Sequence, residues 1–174
     1  MAKRTSAGLQ IVLLGDAHDR ASFACGVESL DRYLKTQAGQ DMRRKANAVF
    51  VLSAPTPPTE ILGYYTLCAI ALSQGDVPAV ARKHVPRYPL VSATLIGRLA
   101  VAKDLQGQRL GAILLADALH RAFESASTVG SSMVVVDALD ERAAEFYAAH
   151  GFVRLPESLR LVLPTRVIGE MVEQ

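Results

Sequence analysis

Cysteine is nearly absent: the 174 residues hold only Cys25 and Cys68. Two thiols make no disulfide framework, and a reducing cytoplasm is the expected compartment. Histidine is scarce too, and the four present make no metal-spaced cluster with either cysteine. No metal site is expected. No apolar run is long enough to span a bilayer, so no membrane partner is expected. The start, MAKRTSAGLQIVLLGDAHDR, has a basic head and a brief apolar piece. It lacks the longer apolar region and small-residue cleavage site of a signal peptide, and reads as a first strand, Leu9 to Leu14, closed by Gly15-Asp16. Neither sign of charge dominates: 19 Lys+Arg stand against 17 Asp+Glu, a net of +2. Repeats, low-complexity tracts and linkers are missing as well. A single domain over residues 1–174 is the expectation.

What is present is a globular composition, 50% hydrophobic and 21% charged, on a chain long enough to enclose a core. The most informative stretch runs from Leu95 to Ala122, LIGRLAVAKDLQGQRLGAILLADALHRA. Its first seven residues, Leu95 to Val101, are mostly apolar, as in a buried strand. Lys103 to Gln108 breaks the apolar run. Leu110, Ile113, Leu114, Ala118 and Leu119 then recur at helical spacing. A glycine-bearing turn that opens a helix presents unpaired backbone N–H groups and the positive end of the helix dipole. That is an anion site, most naturally for a phosphate.

Before it, Gly26 marks a turn into a helix with Val27, Leu30, Tyr33 and Leu34 on one face. That helix continues to Arg44, with Gly39 as a weak point. Asn47 to Ser53 and Ile61 to Ile70 read as an antiparallel hairpin, its tip kept out of any ladder by Pro55, Pro57 and Pro58. Arg82 to Pro89 reads as a basic loop, either a substrate rim or a plain crossover. After it, Ser131 to Ala138 is a buried strand. Asp140 can cap a helix from Glu141 to His150, and Gly151 ends it. Phe152 to Leu155 and Leu159 to Leu163 are strands, and the tail beyond Pro164 is expected to be loose. Antiparallel strands early and a strand–helix–strand unit late argue for a mixed sheet with helices on its faces, an α/β or α+β layer fold. Cations gather at Arg43-Arg44-Lys45 and at Arg82-Lys83-His84 with Arg87. Each cluster alone reads as solvated surface; two of them beside a phosphate-type turn point to a polyanionic substrate.

Two motifs carry a resemblance. Gln106-Gly107-Gln108-Arg109-Leu110-Gly111-Ala112 resembles the acyl-CoA loop of the GCN5-related N-acetyltransferases (GNATs), Gln/Arg-x-x-Gly-x-Gly/Ala, with Arg109 in place of the middle glycine. Phe146-Tyr147 followed by Gly151-Phe152 resembles the second signature of that superfamily, one helix and one strand further on. A narrower resemblance rests on Cys25-Gly26, Leu30-Asp31-x-Tyr33-Leu34, Gln37 to Arg44 and Gly97-Arg98-Leu99-Ala100-Val101. It is to the acetyltransferase toxins of bacterial toxin–antitoxin pairs.

The resemblance implies a GNAT fold: a mixed, mostly antiparallel sheet flanked by helices, whose splayed central strands hold acetyl-CoA. It implies acetylation of the α-amino group of aminoacyl-tRNA, a block of translation, and a ribbon-helix-helix antitoxin as partner. A homodimer is expected. On these positions, residues 106 to 112 (Gln106, Gly107, Gln108, Arg109, Leu110, Gly111, Ala112) would cradle the CoA pyrophosphate through backbone N–H groups. Leu99, Ala100 and Val101 would form the pantetheine and acetyl platform, and Phe146 would pack under the cofactor. Tyr147 is the candidate general acid, since a phenol is a neutral donor able to protonate the departing thiolate. Tyr33, Tyr64, Tyr65 and Tyr88 read as packing or rim residues, and His150 as a helix-end residue. No side chain is an obvious general base. Arg43, Arg44, Lys45, Lys83, Arg87 and Arg98 are the candidate contacts to tRNA phosphates. Arg98 can equally be paired to a carboxylate. A GNAT acting on a small amine or protein N-terminus, and a non-catalytic acyl-CoA-binding regulator, are the alternatives.

Overall fold

Runs of β-branched and aromatic residues become strands, and segments with apolar residues three and four apart become helices. The structure is a computed structural model describing residues 8–173; the basic head and Gln174 lie outside the described residues. In chain order the strands are β1 (Gln10–Leu13), β2 (Ala48–Ser53), β3 (Gly63–Ser73), β4 (Leu90–Val101), β5 (Met133–Asp137), β6 (Val153–Arg154) and β7 (Arg160–Pro164). The helices are α1 (Glu28–Thr36), α2 (Ala38–Arg43), α3 (Ala79–Arg82), α4 (Leu110–Ser125), α5 (Glu141–Ala149) and α6 (Thr165–Val172). The strands hydrogen-bond in the order β1-β2-β3-β4-β5-β7-β6. β1–β2, β5–β7 and β6–β7 are antiparallel, while β4–β5 is parallel. That mixture follows from connection length: a parallel neighbour needs a crossover, and α4 supplies it. The expected mixed, mostly antiparallel sheet with flanking helices is what forms.

The chain groups into two compact units. The first comprises the described residues of Met1–Thr66 together with Arg98–Leu115. Its core packs Phe23, Tyr33, Leu34, Val49, Val51, Ile61 and Tyr64 with Ala100. Phe23 meets the Tyr64 ring edge-on at 5.6 Å, and the Tyr64 hydroxyl donates to the Leu30 carbonyl at 2.6 Å, so a large aromatic is buried without orphaning its polar end. The second unit comprises Leu67–Gly97 with the described residues of Ala116–Gln174. Its core packs Leu72, Val77, Val91, Ala93, Met133, Val135 and Val162. The alternation along β4 and the unbroken apolar run of β5 match a strand half covered and a strand covered on both faces.

Three expectations change. The helix from Val27 to Arg44 is two helices, broken at Gln37 and not at Gly39. At Gln37, φ stretches to −120°, and its side-chain amide donates to Asp41 at 2.9 Å. Gly39 lies inside α2, where it makes room: a Cβ there would stand 2.8 Å from Arg20 Nη1. The basic loop forms as expected over residues 83–89; only Arg82 belongs to a helix, as the last residue of the one-turn α3, where it donates from Nε to the Val77 carbonyl at 2.8 Å. β4 starts five residues before Leu95, at Leu90. The tail beyond Pro164 is ordered as α6, with Ile168 and Gly169 buried. Apolar Val167, Ile168 and Met171 in that tail are the helical signal that a purely polar reading passes over.

Candidate active site

The phosphate-type turn is built as its residues predict. Residues 106–109 are exposed, and α4 opens at Leu110. The first helical bond here runs from the Ile113 N–H to the Arg109 carbonyl at 3.3 Å, so the N–H groups of Leu110, Gly111 and Ala112 precede it and are free for a ligand. Gly107 has φ +83° and open space where a Cβ would be. Arg109 has φ +62°, the left-handed conformation that favours glycine. The loop therefore keeps a glycine's backbone while carrying a guanidinium. This exposed, donor-rich turn at the start of a long helix fits a pyrophosphate.

Gln106 has a second role. Its amide Nε2 donates to the Cys25 carbonyl at 2.8 Å and to the Val101 carbonyl at 3.2 Å. The Lys103 N–H donates to the Ala24 carbonyl at 2.8 Å, and the Ala102 N–H to the Leu62 carbonyl at 2.9 Å. These bonds tie the end of β4 and the loop to the segment before α1 and to the start of β3. Cys25 acts through its backbone; its buried thiol is pushed up to about 11, first by desolvation and then by Asp31. β4 pairs with β5 only over Ala93 to Ile96, and residues 97–101 continue beyond that ladder. Ala100 is buried there, with Leu99 and Val101 partly so.

Among the described residues Arg98 has no carboxylate at ion-pair distance. Its guanidinium carbon lies 3.5 Å from the centroid of the Tyr33 ring, a cation–π contact. The Tyr33 hydroxyl donates to Asp41 Oδ2 at 2.8 Å, and Asn47 Nδ2 donates to the same oxygen at 3.1 Å. Asp41 is held below the usual carboxylate range by hydrogen bonds, Gln37 first and then Tyr33. Sequence reading treated Tyr33 as packing and missed Asp41. The signal available was Asp41 four residues after Gln37 and eight after Tyr33 on one helical face.

In the second unit Asp140 caps α5, accepting from the Ala143 N–H at 2.8 Å. Gly151 ends the helix at φ +97°. Tyr147 is 7% exposed, edge-on to Phe146 at 5.2 Å and to Phe152 at 5.7 Å. Desolvation pushes its phenol up to about 12. His150 closes the helix, its Nδ1 bonded to the Phe146 carbonyl at 2.8 Å, as expected of a helix-end residue. Arg43, Arg44 and Lys45 are exposed at and just beyond the end of α2, and Lys83 and Arg87 after α3.

The acetyltransferase (GNAT) domain family matches residues 60–154, more than half of the chain. The chain belongs to the GNAT acetyltransferases. It is 32% identical to a tRNA-acetylating toxin of Mycobacterium tuberculosis, over 86% of this chain and 88% of that protein. AtaT in complex with acetyl-methionyl-tRNAfMet is similar at a TM-score of 0.86 and 33% identity, covering 94% of this chain and 99% of that one. A tyrosine-to-phenylalanine mutant of AtaT, bound to the C-terminus of the antitoxin AtaR and to acetyl-CoA, is similar at 0.81 and 31%, covering 96% and 99%. This GNAT uses acetyl-CoA as its acetyl donor. Among the described residues, no group of three or more His, Cys, Asp or Glu is placed to hold a metal, and no helix is long and apolar enough to cross a membrane.

Proposed function

We propose that this GNAT moves the acetyl group of acetyl-CoA onto the α-amino group of an aminoacyl-tRNA and thereby stops translation. The observation that carries this is the 32% identity to a tRNA-acetylating toxin across nearly the whole of both chains. On this reading the protein is one catalytic domain in the cytoplasm. A ribbon-helix-helix antitoxin masks it, and it works as a homodimer. The antitoxin assignment draws on AtaT, which has been captured with AtaR.

The roles follow from chemistry. The amine nitrogen attacks the thioester carbonyl and gives up a proton to water, the C–S bond breaks, and the thiolate takes a proton. Backbone N–H groups over residues 106–112 hold the pyrophosphate, and the Arg109 guanidinium adds charge beside it. Leu99, Ala100 and Val101 offer backbone groups to pantetheine and to the acetyl oxygen. Tyr147 supplies the thiolate's proton; a phenol raised to about 12 still holds that proton at neutral pH. The ester of an aminoacyl-tRNA lowers the pKa of its α-amine, so a strong base is not required. Arg43, Arg44, Lys45, Lys83, Arg87 and Arg98 neutralise phosphates.

The test is incubation with labelled acetyl-CoA and total charged tRNA, followed by deacylation and scoring of N-acetylated amino acids. Acetylation of one or more amino acids is expected. Acetylation of a polyamine or a peptide N-terminus, with none on charged tRNA, would move the assignment to a small-amine or protein substrate. Acetyl-CoA binding without turnover on any amine would make the protein a regulator.

A further inference from the structure

Gly39 is the unexplained residue of α2. Glycine is a poor helix former, and nothing in the turn geometry asks for one there. What asks for it is Arg20. A Cβ on Gly39 would stand 2.8 Å from Arg20 Nη1 and 3.4 Å from Arg43 Nη1. Both nitrogens converge on that one point, so they are at most about 6 Å apart, a gap that two oxygens of one phosphate can bridge. Among the described residues neither guanidinium has a carboxylate at ion-pair distance. The acid of α2, Asp41, is already engaged by Tyr33, Gln37 and Asn47. Two like charges held together without a counter-charge repel each other unless an anion joins them.

The surroundings have the matching character. A shallow open cleft of about 420 Å³ adjoins, lined by His18, Asp19, Arg20, Ala21 and Lys35. His18 Nδ1 accepts from the Gly15 N–H at 2.9 Å, which leaves Nε2–H as a donor. Asp19 is the one acid of the lining; its carboxylate accepts from the Ser22 N–H at 3.2 Å. Arg20, Lys35 and Arg43 outnumber it.

We infer that Arg20 and Arg43, converging over Gly39 beside the cleft of His18 and Lys35, form a two-pronged grip for a backbone phosphodiester of the RNA substrate. The inference rests on the tRNA reading and adds Arg20, Lys35 and His18 to the cations that sequence alone proposed. The missing Cβ of Gly39 is what lets the Arg20 head sit beside Arg43.

Gly39→Ala tests this without removing any charge. Alanine suits a helix better, and the displaced atom is the far end of a flexible side chain, so the fold tolerates the change while the Arg20 head must move. The full chain, wild type and Gly39→Ala, is titrated with charged and uncharged total tRNA at several salt concentrations, alongside thermal melts. Expected are an unchanged or higher melting temperature, tRNA binding weaker by about five- to tenfold at low salt, and a log–log salt slope shallower by about one. Arg20→Met gives a similar loss, and the double variant adds little, because both break the same grip. If Gly39→Ala does not fold, Arg20→Met decides alone. Wild-type binding with both folded variants unchanged in affinity and slope overturns the grip and leaves the tRNA reading standing. A wild type that neither binds nor acetylates charged tRNA overturns the tRNA reading itself.

Discussion

Two residues carry the sharpest consequences. Tyr147 is buried among Phe146 and Phe152, and its phenol keeps its proton far above neutral pH. Tyr147→Phe keeps the ring and removes the donor. With Tyr147 as the proposed general acid, the turnover number is expected to fall by about a hundredfold or more and the KM for acetyl-CoA to stay unchanged, because such a group acts on the leaving group and not on ground-state binding. Undiminished acetyl transfer in steady-state kinetics would remove Tyr147 from that role. Arg109 sits in a conformation that costs an L-residue about 1 kcal/mol or more. Arg109→Gly relieves that cost and removes a charge beside the turn proposed to hold the pyrophosphate. A higher melting temperature together with a higher KM for acetyl-CoA is the expected pair of results; a lower melting temperature would show that the arginine side chain stabilises the loop by more than its backbone costs.

At the scale of elements, the start of β3, the end of β4 and the start of α4 are fitted to one another through a glycine. A Cβ on Gly63 would lie 2.8 Å from the Ala100 carbonyl oxygen and 2.9 Å from Leu114 Cδ1. The first contact is backbone, which cannot swing aside. Gly63→Ala therefore pushes the end of β4, costs about 1–3 kcal/mol as overpacking does, and raises the KM for acetyl-CoA more than it lowers turnover. Melting curves and a kinetic split check this; an unaltered KM would detach the end of β4 from cofactor binding. Strand and helix types were legible from periodicity, and the α5 cap from Asp140 alone. The break at Gln37 was not: spacing offers Tyr33 and Gln37 to Asp41 along one helical face, but Asn47, beyond the end of α2, joins them only in the fold.

For the whole molecule, titration sets the pH range of stability. Asp41 and Glu141 are both held below the usual carboxylate range, Asp41 chiefly by Gln37 and Glu141 chiefly by Arg154. Their contribution is present above their unfolded values and is lost as pH falls through the folded ones. Tyr147 is raised to about 12, so its contribution is complete below the ordinary phenol value and is lost as pH rises toward 12. The melting temperature is expected to be level through neutrality and to fall at both ends. Asp41→Asn should flatten the acid limb and Tyr147→Phe part of the alkaline one, since burial raises the phenols of Tyr33 and Tyr64 as well. Since Asp41 and Glu141 are solvent-accessible, the acid effect is modest and weakens with salt. An acid limb of the same slope in Asp41→Asn would mean that other carboxylates set it.

Local chemistry is enough to specify local form. The exposed turn over residues 106–109, the Phe146-Tyr147 helix and its glycine stop were readable because caps, turns and amphipathic faces depend on residues a few positions apart. Their pairing in order along the chain also announced the GNAT family, which the comparisons then established. Tertiary structure alone decided the partners of side chains far apart in sequence. Arg98 came to rest on Tyr33 and not on a carboxylate, and Gln106 turned inward to the Cys25 carbonyl. The head of Arg20 settled over Gly39 because a missing Cβ left the room. Such contacts depend on which segments the fold brings together and how much space remains between them, and no spacing along the chain encodes either.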